Sequence, residues 1–398
     1  MKFLHLIPSV DPSGGGPIEG ARRLHEALVG LGHTGEFASV DSPEAAYFDG
    51  FPAKVHALGP VSGRYGYSGK LLPWLKSNAP QFDAVIVNGL WQYPGLAARR
   101  ALAGTSTPYF VFTHGMLDPW FKRRYPIKHL KKWLYWPWGE YRVLRDAKAV
   151  LFTCEEERLL ARQSFWLYKS REVVVSYGTS PPPPETPHLS EAFLSAFPAL
   201  RGKRLLLFLG RIHEKKGCDL LIEAFAARCK ANPDLHLVMA GPDQEGWASA
   251  LQQMAERLGI SDRVTWAGML SGDLKWGAFY ASDAFCLPSH QENFGIAVAE
   301  ALGCSRPVLI SNKVNIWREI DTDRAGFVET DTLDGTIRLL DRWLACSPDE
   351  LARLRTTAEK CFNQRFRIDQ VAERLARLVK HGDANMASMD GKSDNAHV

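Results

Sequence analysis

Two glutamates stand eight positions apart in HQENFGIAVAE, residues 290–300, with an Asn-Phe-Gly turn and an apolar run between them. A carboxylate among apolar neighbours is normally paired or hydrogen-bonded, so Glu292 and Glu300 must hold something. If the whole stretch were helical they would lie roughly 12 Å apart along the axis. The facing acids of a glycosidase are about 5 to 10 Å apart. The wider spacing suits a different chemistry, in which each carboxylate accepts hydroxyl donors from a different sugar of one elongated ligand. The backbone N–H groups of Phe294 and Gly295, at the start of a helix, can face sugar or phosphate oxygens. Purely structural glutamates are the competing explanation.

Two further loops point at an anion. In FLGRIHEKKGCDLLIEAF, residues 208–225, Arg211 follows a strand and a glycine, and Lys215-Lys216-Gly217 precede a helix carrying Leu220, Leu221, Ala224 and Phe225. A guanidinium forks across oxygens while an ammonium supplies a point charge, and the two at the mouth of a sheet make a diphosphate clamp. A solvated basic loop is the alternative. In SVDPSGGGPIEGARRLHEAL, residues 9–28, a strand runs into Gly14, Gly15 and Gly16, then Pro17 near the first helical position, then Ala21, Leu24 and Leu28 at helical spacing. Exposed N–H groups and a partial positive charge at such a helix start suit a phosphate, although a ligand-free tight turn would look the same. A nicotinamide site fits less well, because the glycine spacing misses G-x-G-x-x-G; Asp41, after the second strand, could still imitate the ribose-binding acid.

These loops need sheets to carry them. Short apolar runs alternate with amphipathic segments: Phe3–Ile7, Ala84–Asn88, Tyr109–Thr113, Ala149–Phe152 and Val173–Val175, then Arg204–Gly210, His236–Gly241, Ala284–Pro288 and Pro307–Ser311. Continuous apolar strands covered on both faces by helices predict parallel α/β layers. Between the two series lies YGTSPPPPETPHLS, whose four consecutive prolines can neither pair in a sheet nor continue a helix. The expected organisation is therefore α/β, two Rossmann-like domains facing across a cleft. The first spans residues 1–177, with a C-terminal helix at about 366–381 packing back on it. A Pro-rich linker covers 178–189, the second domain 190–365, and a disordered tail 382–398. Ligands of such sheets bind beyond the carboxyl ends of the strands.

The bulk properties set limits. The chain has 398 residues, 45% hydrophobic and 23% charged, and a formal net charge of +4, too mild to indicate nucleic acid. Its seven cysteines are scattered without C-x-x-C spacing, which predicts reduced thiols, no zinc and a cytoplasmic setting. The N-terminal MKFLHLIPSVDP reads as a first strand rather than a signal peptide, and no window is long enough to span a bilayer. Asp321-Thr322-Asp323 is a D-x-D, but its polar flanks predict a turn instead of a metal site.

GRIHEKKG, VMAGPD, VTWAGML and SHQENFGIAVAEALGCSRPVLIS, in that order, resemble the C-terminal half of the family-4 retaining glycosyltransferases (glycosyl transferases group 1), which have the GT-B fold. The likeness covers residues 200–330 and includes the E-x7-E pair. The N-terminal half is similar more loosely, through the glycine-rich first loop, Thr113-His114-Gly115, and VVVSYGTSP, where Tyr177 stands in place of the family's usual asparagine. The resemblance implies a hexosyltransferase acting on a nucleotide sugar, GDP-mannose or a UDP-hexose, with no metal or other cofactor. It implies that Glu300 holds the donor ribose and Glu292 contacts the transferred sugar. Arg211 and Lys216 would neutralise the leaving diphosphate, and Asn293, Phe294 and Gly295 would contact sugar or phosphate mainly through backbone. His114 would reach the donor sugar from the other domain, where a histidine after a strand could equally be a structural hydrogen-bonder. Gly15 and Gly16 would admit phosphates and acceptor, and the base would lie against Met269 and Leu270. No enzyme nucleophile stands out.

One segment falls outside that scheme. PWFKRRYPIKHLKKWLYWPWGEYRVLRDAKAV carries nine Lys or Arg against two acids between Lys122 and Lys148, interleaved with Trp120, Trp133, Trp136 and Trp138. Such a composition suits an anionic inner-membrane surface near a glycan or polyprenyl-linked acceptor. A solvated helix face with core tryptophans is the alternative, and single-stranded nucleic acid finds no supporting module elsewhere. The expected function is hexose transfer in bacterial surface polysaccharide synthesis; an epimerase, a phosphorylase or a non-catalytic sugar-nucleotide-binding subunit on the same scaffold are the competitors.

Overall fold

The computed structural model describes residues 1–382 apart from Ser62, Glu245 and the side chain of Arg123, so the tail expected at 382–398 lies, but for Gly382, outside the described residues. The chain divides into two compact units, one formed by Met1–Ser180 and the chain from Ile368 onward, the other by Pro181–Arg367.

The first unit holds a seven-stranded parallel sheet: β1 (Lys2–Leu6), β2 (Thr34–Ser39), β3 (Val55–Ala57), β4 (Ala84–Asn88), β5 (Tyr109–Phe112), β6 (Ala149–Phe152) and β7 (Glu172–Val174), in the order β3-β2-β1-β4-β5-β6-β7. Strand alternation sorts the core onto the two faces. Leu4, Leu6, Val85, Val87, Val111 and Phe152 belong to one buried cluster. Phe3, Ile86, Phe110, Phe112 and Leu151 belong to the other, together with Leu24 and Leu28 of helix Gly16–Gly30 and Val371, Leu375 and Leu378 of helix Ile368–His381.

The second unit holds a six-stranded parallel sheet: β8 (Arg204–Leu209), β9 (Leu235–Ala240), β10 (Val264–Gly268), β11 (Ala284–Leu287), β12 (Val308–Ser311) and β13 (Gly326–Glu329), in the order β10-β9-β8-β11-β12-β13. Every one of the nine apolar runs is a strand or lies on one. The strands those runs did not mark include the edge strands β3, β10 and β13, whose residues are mostly half-exposed and so carry no continuous apolar signal. Pro181–Pro184 lie outside helix and strand, but a helix already opens at Pro187 and runs to Ala196.

One expectation is corrected. Asp321-Thr322-Asp323 is not a turn but the end of helix Trp317–Asp323, which buried Ile320 anchors to the core. Its Asp323 carboxylate is forked by Arg365 at 2.6 and 2.7 Å.

In each sheet the strand order reverses once, between β1 and β4 in the first and between β8 and β11 in the second. Loops leaving the carboxyl ends of strands diverge at such points and open a crevice for a ligand.

Candidate active site

In the second unit the charged residues gather at that reversal. After β8, Gly210 leads to exposed Arg211 and then to a single 3-10 turn, Glu214–Lys216. His213 Nδ1 accepts the Lys215 N–H at 3.0 Å, which leaves any ring proton on Nε2. Gly217 follows at φ 64°. A Cβ on Gly217 would stand 2.2 Å from the Pro288 carbonyl oxygen, so glycine lets the loop after β8 lie directly on the loop after β11. The His290 N–H donates to the Lys215 carbonyl at 2.8 Å and ties the same two loops.

Lys216 and Glu292, taken separately in the sequence, are ion-paired through Nζ and Oε2. Burial first, and the Arg211 guanidinium second, push the Lys216 ammonium down to about 8. Backbone holds Glu292 in place: its N–H donates to Lys313 O at 2.9 Å and its carbonyl accepts the Asn315 N–H at 3.0 Å. The Asn315 side chain in turn reaches Asn293 Oδ1 at 3.5 Å. The Phe294 ring is buried edge-on against Phe366, centroids 5.5 Å apart, so Phe294 can offer a ligand only its backbone. Gly295, at φ 79°, opens helix Ile296–Gly303 in a conformation that favours glycine. The first N–H groups of that helix have no intrahelical partner and carry its positive end.

Glu300 lies on the same helix, buried, with Oε1 bound to Lys275 Nζ at 2.7 Å. Lys275 belongs to helix Gly272–Ala281, and nothing in its local sequence distinguishes it from a solvated lysine. Met269, 76% exposed, and half-buried Leu270 follow edge strand β10. Between β10 and β8 the rim is bare backbone. Gly241, at φ 140°, would place a Cβ 1.8 Å from Gly210 O, and its N–H donates to Gly268 O at 2.7 Å.

The first unit has its own set of strand-end loops. Gly15 takes φ 79°, and no atom stands within 4 Å of where a Cβ of Gly15 or Gly16 would lie, so the helix start faces open space. Asp41 is already engaged: one oxygen accepts the Val10 N–H at 2.9 Å and the other the Tyr47 hydroxyl at 2.7 Å. It braces the first loop, which removes the ribose-binding role it would need at a nicotinamide site. His114, at φ 47°, stacks on Phe112 with centroids 5.4 Å apart and shares a hydrogen bond with Asn88 Oδ1 at 3.2 Å. Burial pushes its imidazole down to about 4, so it is neutral at pH 7.

Sequence reasoning passed over Glu157. It is buried in helix Glu155–Ala161 and collects four donors. Oε1 accepts Thr113 Oγ1 and the Gly115 N–H, both at 2.5 Å, and Oε2 accepts the N–H and Oγ1 of Thr153 at 2.7 and 2.6 Å. Both neighbours of His114 are thus pinned to one carboxylate. An acid two residues into a helix that follows a strand, CEEE, was the available signal.

Tyr177 also acquires a reason. Its hydroxyl donates to Gly16 O at 2.9 Å, and a Cβ on Gly20 would stand 1.2 Å from that hydroxyl oxygen. Gly20 is the notch that receives the Tyr177 ring, and the pair clasps the start of helix Gly16–Gly30.

Two doubly wound parallel sheets in one chain match the GT-B class of α/β proteins. Residues 192–360 match the family model "Glycosyl transferases group 1" and residues 15–178 match "Glycosyl transferase 4-like domain". The chain belongs to the glycosyltransferases of group 1, of the family-4 type. It is similar to a D-inositol 3-phosphate glycosyltransferase of Thermomonospora curvata, 40% identical over 116 residues, 27% of each chain. It is also similar to the mannosylfructose-phosphate synthase of Agrobacterium fabrum, 32% identical over 127 residues, 30% of this chain and 28% of that protein. These alignments thus span about a quarter of the relatives' length. Among solved structures, Anabaena Alr3699/HepE in complex with UDP and glucose superposes with TM-score 0.73 at 17% identity, covering 96% of this chain and 99% of that one, which shows the shared fold.

Proposed function

We propose that this chain is a retaining hexosyltransferase that moves a hexose from a nucleoside diphosphate sugar, a UDP-hexose or GDP-mannose, to a hydroxyl of a glycan or polyprenyl-linked glycan in bacterial surface polysaccharide synthesis. The observation that carries this reading is the Arg211–Lys216–Glu292 cluster at the reversal of the second sheet, next to the start of helix Ile296–Gly303. The UDP and glucose named for the Anabaena neighbour support a uridine donor.

In this scheme the bond between the hexose C1 and the terminal phosphate oxygen breaks while the acceptor oxygen bonds to C1 on the same face. The acceptor's proton passes to a phosphate oxygen of the leaving nucleotide, so the protein supplies no nucleophile. Arg211 and Lys216 take up the charge that grows on the diphosphate, together with the N–H groups at Gly295 and beyond. The backbone N–H groups are fixed before the reaction, and the scheme needs no metal. Glu292 and the backbone of Asn293 and Phe294 orient the hexose, Glu300 takes the ribose hydroxyls, and Met269 and Leu270 lie against the base. His114, neutral, is assigned to the donor sugar, and Gly15 and Gly16 to phosphate and acceptor. The setting is cytoplasmic, on the inner face of the membrane when the acceptor is lipid-linked.

Calorimetry with UDP, GDP and their hexose conjugates tests the assignment. One nucleoside diphosphate should bind, and Glu300→Gln should weaken it about 10- to 100-fold, the worth of hydrogen bonds to a charged acceptor. Binding of neither nucleotide, or wild-type affinity in Glu300→Gln, would place the donor elsewhere.

A further inference from the structure

Helix Pro126–Tyr135 is inverted relative to an ordinary surface helix, which turns its apolar side to the core. Its inward side carries His129, stacked on Phe165 at 4.7 Å between ring centroids, and Lys132, whose ammonium lies 4.5 Å from the centre of the Trp91 ring and 5.7 Å from that of Phe121. Its outward ridge is aliphatic: Ile127, Leu130 and Leu134 are 75%, 57% and 60% exposed, and no residue of the helix is buried. Trp133 lies beside the ridge, tilted against exposed Trp166 with centroids 5.9 Å apart. Trp138, three residues past the helix, and Leu167, next to Trp166 in the chain, are also exposed. From Pro119 to Gly139 there is no acidic residue, and Lys122, Arg124, Lys128 and Lys131 are exposed along the same stretch.

We infer that this face is a docking surface for an anionic lipid bilayer. The chemistry selects that occupant. Aliphatic side chains on a convex helix offer nothing to a phosphodiester backbone or a flat base, but they enter an acyl region readily. Tryptophans beside them settle at headgroup depth, and lysines on the flank meet anionic headgroups at about 1 kcal/mol each, close to fivefold in binding constant. Among the described residues no helix is long and apolar enough to cross a membrane, so the helix lies on the surface. Cation–π seating of Lys132 over Trp91 and Phe121 spends the inward lysine on anchoring the helix to its own unit. The bilayer binding stands on these observations alone; its purpose, bringing the enzyme to a lipid-linked acceptor, rests on the function proposed above.

The test is sedimentation of the full chain with vesicles of equal parts phosphatidylglycerol and phosphatidylcholine, against vesicles of phosphatidylcholine alone, at low and high salt. The protein should pellet with the anionic vesicles at low salt and be released by high salt, with a blue shift of tryptophan emission on binding. Lys128→Glu with Lys131→Glu should weaken binding at least about 25-fold, two lysines at about fivefold each. Ile127→Ser with Leu134→Ser should weaken it about tenfold or more through lost apolar burial. All these substitutions are at exposed positions, and nucleotide affinity measured without vesicles should match the wild type in both variants. That separates failure of docking from failure of the transferase reading. Protein left in the supernatant with anionic vesicles, or indifferent to both double substitutions, would overturn the proposal. Self-association abolished by Ile127→Ser with Leu134→Ser in the absence of vesicle binding would assign the face to a second copy of the chain.

Discussion

Lys216 offers the sharpest test of the proposed chemistry, because the charge it would meet grows as the diphosphate departs. When the glycosidic bond breaks, the leaving phosphate gains about one negative charge. A fixed ammonium about 4 Å away, at an effective dielectric of about 20, is worth about 4 kcal/mol to that charge. Removal of single preorganised donors elsewhere loses about 2.7 to 4 kcal/mol. Lys216→Met should therefore lower kcat by about 100- to 1000-fold, since each 1.36 kcal/mol is about tenfold, while affinity for the intact donor changes far less. The wild type should carry a second signature. Its ammonium is held down to about 8 by burial and by Arg211, so kcat/KM should fall about tenfold per pH unit above that point. Bound diphosphate favours the ammonium, which moves the corresponding limb in kcat to higher pH. Lys216→Arg, which stays charged, should abolish the limb even where its rate is poor. The assay is nucleoside diphosphate release across pH 6 to 10, roughly the window set by that pKa. Because Lys216→Met leaves the Glu292 carboxylate without its lysine, a Lys216→Met/Glu292→Gln double variant separates an unpaired acid from a lost catalytic charge. A turnover within a few fold of wild type, or a limb near 8 that survives in Lys216→Arg, would refute the clamp.

Two further outcomes follow from the first unit. Glu157→Gln replaces an all-acceptor carboxylate with an amide that must point its N–H groups at one pair of donors. It should destabilise the unit by about 2 to 4 kcal/mol in urea titrations and lower kcat through the released His114 loop, leaving nucleotide affinity unchanged; an unaltered kcat would make Glu157 purely structural. Gly20→Ala drives a methyl into the Tyr177 ring and should lower stability by about 1 to 3 kcal/mol. Tyr177→Asn in the same chain should restore most of that loss; no rescue would mean the strain lies elsewhere.

What the sequence made legible was decided by periodicity and by chemistry local to a loop. Central strands such as AVIVN and AVLF are buried on both faces and read as unbroken apolar runs. Edge strand β13, half-exposed along its length, sends no such signal. Gly217 and Gly295 stood in the right loops, and the structure adds that each takes a left-handed conformation. The partnerships were not legible, because they join residues far apart in the chain. Lys216 meets Glu292 across 76 positions, and Lys275 meets Glu300 from a helix with no motif of its own. Tyr177 looked anomalous only because Gly20, its receptor, is 157 positions earlier, and spacing says nothing about a contact of that range.

Those partnerships change the physical picture of the donor site. As separate features, two acids and two cations would each gain a ligand contact outright. In the structure Glu292 is satisfied by Lys216 and Glu300 by Lys275. Under the proposed function, binding of a sugar diphosphate would then be an exchange. The Lys216 ammonium would turn from carboxylate toward phosphate as the Glu292 oxygen turned toward a hydroxyl. Neither half-buried ion would have to stand alone. Exchange of this kind yields only the modest net energy of swapped hydrogen bonds, and a ligand that engages the lysine without supplying a hydroxyl for the acid would bind less tightly than one that supplies both, since it leaves the carboxylate without its partner. On the proposed function, the paired ground state would act as a specificity device, rewarding ligands that present a diphosphate and a hexose together over ones that present either alone.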